Sequence, residues 1–251
     1  MQERVSEGFE VDSSRISVEF VRGRRRARAF ALAAMLGVVA YVLLDVVLQL
    51  LPPHYSPIRD AESNLAVGPF GWLMNLNFLG RWVTTVAGAL AIGSVGPASR
   101  TRRAGLLLLL SGGVCSAILA FLPTDVPAPG DLVVRAYTPT GLAHLGVAGL
   151  GFLSALAAVV MLTVWMRGSG VRRAVPAAAG LALVAAAGLL ALGVTTAVAP
   201  GLLGLAERLC LAGILGWTFL VSAAVRRPRP ARRAGPRGRP DEPAALGRLA
   251  S

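Results

Sequence analysis

Nine polar or ionisable residues lie inside or beside long apolar runs, where charge is costly. They are Asp45, Glu62, Ser63, Asn77, Arg81, Asp125, His144, Glu207 and Arg208. An ionised side chain near the centre of a membrane helix costs about 2.5 to 3.5 kcal/mol on insertion scales, so such groups need partners or serve a function. Acids, arginines and a histidine brought together can bind a polar ligand or transfer protons. The sequence therefore predicts these nine residues as candidates for one polar pocket.

Spacing puts several of these residues on shared helix faces. Asp45 lies four residues after Tyr41 and four before Gln49, and Arg81 lies four after Asn77. Residues four apart project from the same face of a helix. We therefore expect each group to act from one face.

Two interpretations of these charges remain open. In the first, Arg81 pairs with Glu207 or Asp45 and fixes the register of the helices without a ligand. In the second, the faces converge on a site that binds or transforms a ligand. The second is favoured by the position of all the charges toward one side of the predicted membrane, which packing alone does not require.

Six apolar segments are long enough to carry these residues across a bilayer. A helix needs about 20 apolar residues to cross a hydrocarbon core about 30 Å thick. The segments are 29–51, 70–95, 104–122, 141–166, 174–198 and 202–225. The chain is 55% hydrophobic with a mean hydropathy of +0.64, which is typical of a membrane protein. We expect an all-α, polytopic bundle of six transmembrane helices.

Arginines beside these segments predict the orientation. The net charge is +12, every basic residue is Arg, and the arginines cluster before the first segment, in alternate loops and after the last. Cytoplasmic loops carry such an excess, so both termini should lie inside. Residues 1–28 are then a cytoplasmic tail, 29–225 the transmembrane domain, and 226–251 a disordered basic cytoplasmic tail. The predicted location is the plasma membrane, multi-pass, with the pocket facing outward.

The fifth segment is rich in small residues at spacings of four, including Ala178, Ala182 and Ala186. Small residues let helix backbones approach closely in lipid. We therefore expect this helix at the centre of the bundle.

Several kinds of chemistry are disfavoured. The sequence has no G-x-S-x-G elbow, no phosphate-binding glycine loop and no C-x-x-C pair, which argues against nucleotide chemistry of the soluble type. His54, His144, Asp125 and Glu62 lack a zinc-ligand spacing. We expect no metal, no cofactor and no nucleic-acid partner; membrane lipids are the expected surroundings, and nothing in the sequence specifies an oligomeric state.

These motifs together resemble a bacterial membrane family of unknown function, domain-of-unknown-function family 998. The stretch HYSPIRDAESNLAVGPFGWLMNLNFLGRW, from His54 to Trp82, is similar to the family's loop and second span. LPTD ending at Asp125, T-x-x-G-L-A-H ending at His144, and the ER pair at Glu207 and Arg208 are similar to its later motifs. The resemblance covers about residues 29–225 and implies a six-span bundle without an assigned activity.

Three functions are consistent with this pattern, and whether the protein is an enzyme stays open. The leading hypothesis is an outward pocket that binds a small or lipidic ligand. The second is a lipid hydrolase within the membrane, in which Asp125 and His144 act as metal ligands or acid/base groups and Glu62 or Ser63 closes the site. A distant similarity to the alkaline-ceramidase superfamily favours it, but that superfamily's paired C-terminal histidines are missing. The third is a proton-coupled transporter.

Overall fold

The structure, a computed structural model, describes residues 13–51, 55–126 and 135–227. These residues form six α-helices: α1 (Ser13–Leu48), α2 (Gly71–Gly93), α3 (Arg100–Leu119), α4 (Pro139–Met166), α5 (Val175–Val198) and α6 (Leu203–Arg226). Short 3-10 helices cover Glu62–Ala66, Arg172–Ala174 and Pro200–Leu202. The described residues contain no strand, so the all-α prediction is confirmed. The predicted disordered tail, beyond Arg227, lies outside the described residues, as do residues 1–12.

Side-chain caps fix the starts of two helices. The Ser99 side chain accepts a hydrogen bond from the Arg102 N–H at the start of α3, and Thr138 accepts one from the Gly141 N–H at the start of α4. Such caps satisfy backbone donors that have no partner within the helix. Pro139 follows Thr138 in the first turn of α4, where a missing N–H costs nothing.

The six helices form a ring in chain order. Each helix packs against the next, and α1 closes the ring by packing against α6 as well as α2. Among the described residues, the contacts that α6 makes across the ring with α2 and with α4 are weaker than those between neighbouring helices. This arrangement leaves room at the centre of the bundle.

The outer surface of the ring is apolar on every helix. Examples are Leu43 on α1 (61% exposed), Trp72 on α2 (59%) and Leu190 on α5 (72%). A surface of this kind suits lipid and not water. Five helices, all except α2, are long and apolar enough to cross a membrane.

α6 is the most buried of these five helices, and α5 is the least. In their apolar stretches, 44% of the residues of α6 are buried against 22% for α5. The prediction that the fifth segment is central is therefore wrong. Its small residues do permit close approach, since Ala178, Ala182 and Ala185 are buried, but the helix that they approach is α6.

The arginine-rich end of the bundle is tightly packed. Trp165, Met166 and Trp217 lie in its apolar core, and the Trp217 indole donates to Thr163 Oγ1 at 2.8 Å. Arg102 donates to the carbonyls of Gly93, Val95 and Gly96 at the end of α2. Central space therefore opens toward the opposite end, where the predicted polar residues lie.

Candidate functional site

A cavity of about 910 Å³ lies at the centre of the ring, toward the end opposite the arginine-rich loops. Its walls come from α2, α3, α4, α5 and α6, and the segment 55–67, here called the roof loop, lies across it. The volume lies in the range of small-molecule sites, about 300 to 1,000 Å³.

The roof loop is bonded directly to the start of α6. The Leu205 N–H donates to the Ile58 carbonyl at 3.0 Å, and the Gly204 N–H donates to the Arg59 carbonyl at 3.4 Å. A Cβ at Gly204 would collide with the Asp60 carbonyl, so only glycine allows this approach. Donors of the first helical turn, which have no partner within the helix, are thereby satisfied by the loop.

Arg208 on α6 clamps the same loop from below. Its guanidinium donates to the Pro57 carbonyl at 2.9 Å, to the Asp60 carbonyl at 3.3 Å and to Tyr55 Oη at 2.6 Å. Burial of the Tyr55 hydroxyl raises its pKa, which keeps it protonated despite the neighbouring cation. Asp45 Oδ1 on α1 lies 3.9 Å from the guanidinium. This arginine is therefore engaged in holding the loop.

Glu62 lies at the point where the roof loop enters the bundle and is 2% exposed. Its Oε1 accepts a 2.7 Å hydrogen bond from the Tyr41 hydroxyl, and its N–H donates to Glu207 Oε2 at 2.7 Å. Burial, together with the charges of Glu207 and Asp45, raises the pKa of Glu62 from 4.5 to about 8. This carboxyl is therefore mainly neutral at pH 7.

Arg81 on α2 faces the cavity and is held on three sides. Its Nε donates to Ser116 Oγ on α3 at 2.8 Å, and Ser116 in turn donates to the Phe78 carbonyl. The rings of Tyr41 and Phe78 lie 5.7 and 5.8 Å from the guanidinium carbon, within cation–π range. In the first interpretation Arg81 would pair with Glu207 or Asp45, but among the described residues neither carboxylate lies within 4.0 Å of it. Arg208 occupies the place beside Asp45 instead.

His144 and Asp125 form a second polar group at the start of α4. The His144 Nδ1 lies 2.7 Å from the Leu122 carbonyl, which can only accept, so this nitrogen carries a proton and Nε2 is the acceptor in the neutral ring. The Asp125 carboxylate accepts from the Tyr137 and Thr138 N–H groups and from the Thr138 hydroxyl. These hydrogen bonds lower the pKa of Asp125, so it stays ionised and anchors the helix start.

The nine predicted residues divide into two sets. Six line the cavity: Glu62, Ser63, Arg81, Asp125, His144 and Glu207. Asp45, Asn77 and Arg208 lie outside its lining and make structural contacts. Asp45 accepts from Gln49 at 2.6 Å, and Asn77, which is buried, donates to the Tyr41 carbonyl at 3.2 Å. The helices therefore bring together residues that are far apart in the sequence, such as Glu62 and Glu207, which are 145 positions apart.

Below the polar groups, the cavity wall is apolar. It is lined by Leu109 on α3, Phe152 on α4, Leu189 on α5, and Ile214 and Leu215 on α6. The deeper hydroxyls of Thr84, Thr85 and Thr218 each donate to a carbonyl of their own helix. On α6 the lining runs from Leu203 to Thr218, which spans about 22 Å at 1.5 Å per residue.

Three contributors were absent from the predicted set. Tyr41 holds the Glu62 carboxyl, Tyr55 joins the Arg208 clamp, and Ser116 orients Arg81. Only Tyr41 carried a signal, its spacing of four from Asp45. Ser116 carried none, because an isolated serine is common in membrane helices.

Within the described ranges, no group of three His, Cys, Asp or Glu residues is close enough to hold a metal ion. His54, one of the residues considered as a zinc ligand, lies outside those ranges. The arrangement offers hydrogen-bonding and charged groups at one end of a cavity and apolar walls at the other.

A family model described as "Protein of unknown function (DUF998)" matches residues 35–224. The match includes all nine predicted residues and confirms the resemblance found in the sequence. No curated protein and no solved structure matches the chain.

Proposed function

We propose, from the premise that the chain belongs to the DUF998 family, that it is an integral membrane protein that binds an amphipathic, lipid-like ligand under the roof loop. One observation carries this proposal: the cavity is polar beneath the loop and apolar along its depth. A lipid is divided in the same way, into a polar headgroup and an apolar chain. Its chain would supply van der Waals contacts to the apolar wall of the cavity.

The surroundings supply such a ligand. All six helices expose large apolar side chains, which supports an environment of membrane lipid for each of them. α2 lacks a stretch as apolar as those of the other five helices because it contains Asn75, Asn77 and Arg81. Two of these three, Asn77 and Arg81, are held inside the bundle.

On this basis α2 also crosses the membrane, which makes six spans. The arginine-rich end then faces the cytoplasm and the roof loop faces outward. The protein is thus a multi-pass protein of the plasma membrane whose pocket opens to the outer side.

Filling the cavity tests the proposal. Leu189 lines the cavity, whereas Leu190, its neighbour on α5, faces outward and is 72% exposed. Leu189→Trp should reduce the lipid retained after exchange into mild detergent by about tenfold, since overpacking costs about 1 to 3 kcal/mol. Leu190→Trp should leave it unchanged. Bound lipid is measured by native mass spectrometry of samples with equal folded yield.

Equal lipid retention in the two tryptophan variants would count against the cavity as the binding site. A helical membrane protein carries annular lipid on its outer surface in any case. The comparison removes that background, because both variants add the same side chain to the same helix.

A lipid hydrolase is the second candidate, and the orientation of His144 favours it. With Nδ1–H donated to Leu122, the Nε2 lone pair of this cavity-lining residue is available as a general base. Incubation with ester lipids should then give a rate that His144→Gln abolishes and that does not depend on added metal. Absence of any product from the wild-type protein would rule out this candidate.

A further inference from the structure

Arg81 has donors that the protein does not use. Its Nε is bonded to Ser116, but within the described part of the chain neither Nη1 nor Nη2 has a hydrogen-bond partner. The guanidinium carbon lies 5.7 Å from the Tyr41 ring and 5.8 Å from the Phe78 ring, and Arg81 lines the cavity. A guanidinium held in this way presents a planar pair of donors, the geometry that phosphate and carboxylate groups accept.

Glu207 has an acceptor that the protein does not use. Its Oε2 accepts from the Glu62 N–H at 2.7 Å, whereas Oε1 accepts no hydrogen bond from the described residues. The adjacent Arg208 is occupied by the roof loop. Glu207 also lines the cavity, so its remaining oxygen is available to a ligand that donates.

These two opposite charges face one cavity without meeting. No ion pair within 4.0 Å joins Arg81 to Glu207, and each is anchored by a different contact, to Ser116 on α3 and to the Glu62 N–H in the roof loop. In a medium of low dielectric, separated charges are costly unless each gains a partner. A ligand carrying both signs would satisfy both.

We infer that the ligand is a phospholipid with a primary amine in its headgroup, the phosphate bound by Arg81 and the ammonium by Glu207. This inference rests on the proposed function and specifies its ligand class. The phosphate accepts from the two free guanidinium nitrogens, and the ammonium donates to Glu207 Oε1. The acyl chain follows the apolar wall toward Leu109 and Thr218. Glu62 is a poorer partner for the ammonium, because its carboxyl already accepts from the Tyr41 hydroxyl at 2.7 Å.

Competition between lipids with identical chains tests the assignment. The probes are phosphatidylethanolamine, phosphatidylglycerol, which lacks the amine, and diacylglycerol, which also lacks the phosphate. Water-soluble phosphoethanolamine is the fourth probe and separates the headgroup from the chain. Native mass spectrometry of delipidated protein should show the strongest binding for phosphatidylethanolamine, weaker binding for phosphatidylglycerol and the weakest for diacylglycerol. Each lost charge pair should weaken binding about tenfold, or by about 1.4 kcal/mol. Soluble phosphoethanolamine should compete weakly.

Two substitutions separate the two contacts. Glu207→Gln keeps an acceptor for the Glu62 N–H but removes the charge, so it should abolish the preference for ethanolamine over glycerol while phosphatidylglycerol still binds. Arg81→Gln should abolish the preference for either phospholipid over diacylglycerol. Arg103→Gln, an exposed arginine at the opposite end, should change neither preference.

The outcomes distinguish the assignment of the headgroup from the binding of lipid in the cavity. If the three lipids bind equally well and Leu189→Trp still blocks them, the headgroup assignment is wrong and the lipid cavity stands. If none of the lipids binds, the proposed function fails as well. Equal or stronger binding of phosphatidylglycerol by the wild type, or an unchanged preference in Glu207→Gln, would overturn the ammonium site.

Discussion

Glu62 is the carboxyl at which burial, a hydrogen bond and neighbouring charges act together. It is buried, it accepts from Tyr41, and it lies near the charges of Glu207 and Asp45, which is why its pKa is about 8 and not 4.5. Asp45 Oδ1 is buried and accepts no hydrogen bond from the described residues. A neutral Glu62 adds no further negative charge beside Glu207 and Asp45.

The stability of the folded protein should therefore depend on pH through Glu62. Between pH 4.5 and 8 the folded state keeps a proton that the unfolded state has released. The free energy of unfolding should then fall as pH rises through this window, by up to about 1.4 kcal/mol per pH unit, and level off above it. Glu62→Gln keeps the acceptor for Tyr41 and should remove this slope. Denaturant unfolding in micelles at several pH values measures it.

Tyr41→Phe is the matched variant for the same group. It removes the hydrogen bond that lowers the pKa of Glu62, so the fall in stability should move to higher pH, together with a loss of about 1 kcal/mol for the hydrogen bond. A slope in Glu62→Gln equal to that of the wild type would show that another group carries the proton.

For single residues, the sequence identifies which charged side chains lie in apolar segments but not which partners they contact. The cost of burying charge made Arg81 and Arg208 conspicuous without separating their roles. Arg208 holds the roof loop and Arg81 faces the cavity because loop carbonyls, which carry no side-chain signal, compete for the guanidinium of Arg208.

Among the helices, the α5–α6 pair makes the closest contact at glycine. A Cβ at Gly188 would collide with the backbone of Cys210, and a Cβ at Gly213 would collide with the backbone of Ala185. Two helices this close gain packing along their whole length, which is the main attraction available in lipid. The pair forms one wall of the cavity, through Leu189 on one helix and Leu211 and Ile214 on the other.

Adding a methyl group should test this contact. Gly213→Ala should destabilise the protein by about 1 to 3 kcal/mol, because the backbones must separate. Gly180→Ala on α5, where an added Cβ would meet nothing within 4 Å, should be neutral or stabilise by up to about 1 kcal/mol through helix propensity. Thermal unfolding of the two variants in the same detergent gives the comparison. Equal effects would mean that the contact is looser than the structure indicates.

Element by element, long apolar runs made the helices predictable, with ends displaced by a few residues at most sites. α1 is the exception: it begins at Ser13, well before the predicted span at residue 29. The content of small residues in α5 indicated close packing but not the neighbour, since the residues in contact, Gly188 with Cys210 and Ala185 with Gly213, lie on different helices.

At the scale of the molecule, the ring separates an end bearing arginines from an end bearing the roof loop. Ile58 in the roof loop and Ala98 before α3 are both exposed and lie on either side of α2 in the chain. Both native cysteines are buried, so single cysteines can be introduced and labelled selectively.

Labelling of intact cells with an impermeant maleimide should modify Ile58→Cys but not Ala98→Cys, which should react only after permeabilisation. In the proposed topology the arginine-rich loops lie inside, and α2 crosses the membrane between the two sites. Wild-type protein is the background control. Reaction of both cysteines from outside would mean that α2 does not cross, and reaction of Ala98→Cys alone would reverse the orientation.

Composition and arginine placement are sufficient to predict a helical membrane bundle, because hydrocarbon demands helices and apolar surfaces. The cavity is not predictable in this way. It exists because few contacts cross the ring, and that depends on the sizes of side chains from five helices, whose relative rotation no single segment encodes.

Closure of the ring by α1 and α6 also dictates an order of events during synthesis. Asp45 and Glu62 leave the ribosome long before Glu207 and Arg208, which later supply their contacts. Until α6 is inserted, Asp45 and Glu62 lack the contacts that bury them in the folded protein, and the cavity is open along one side. A chain truncated after α5 should therefore be recognised as incomplete and degraded.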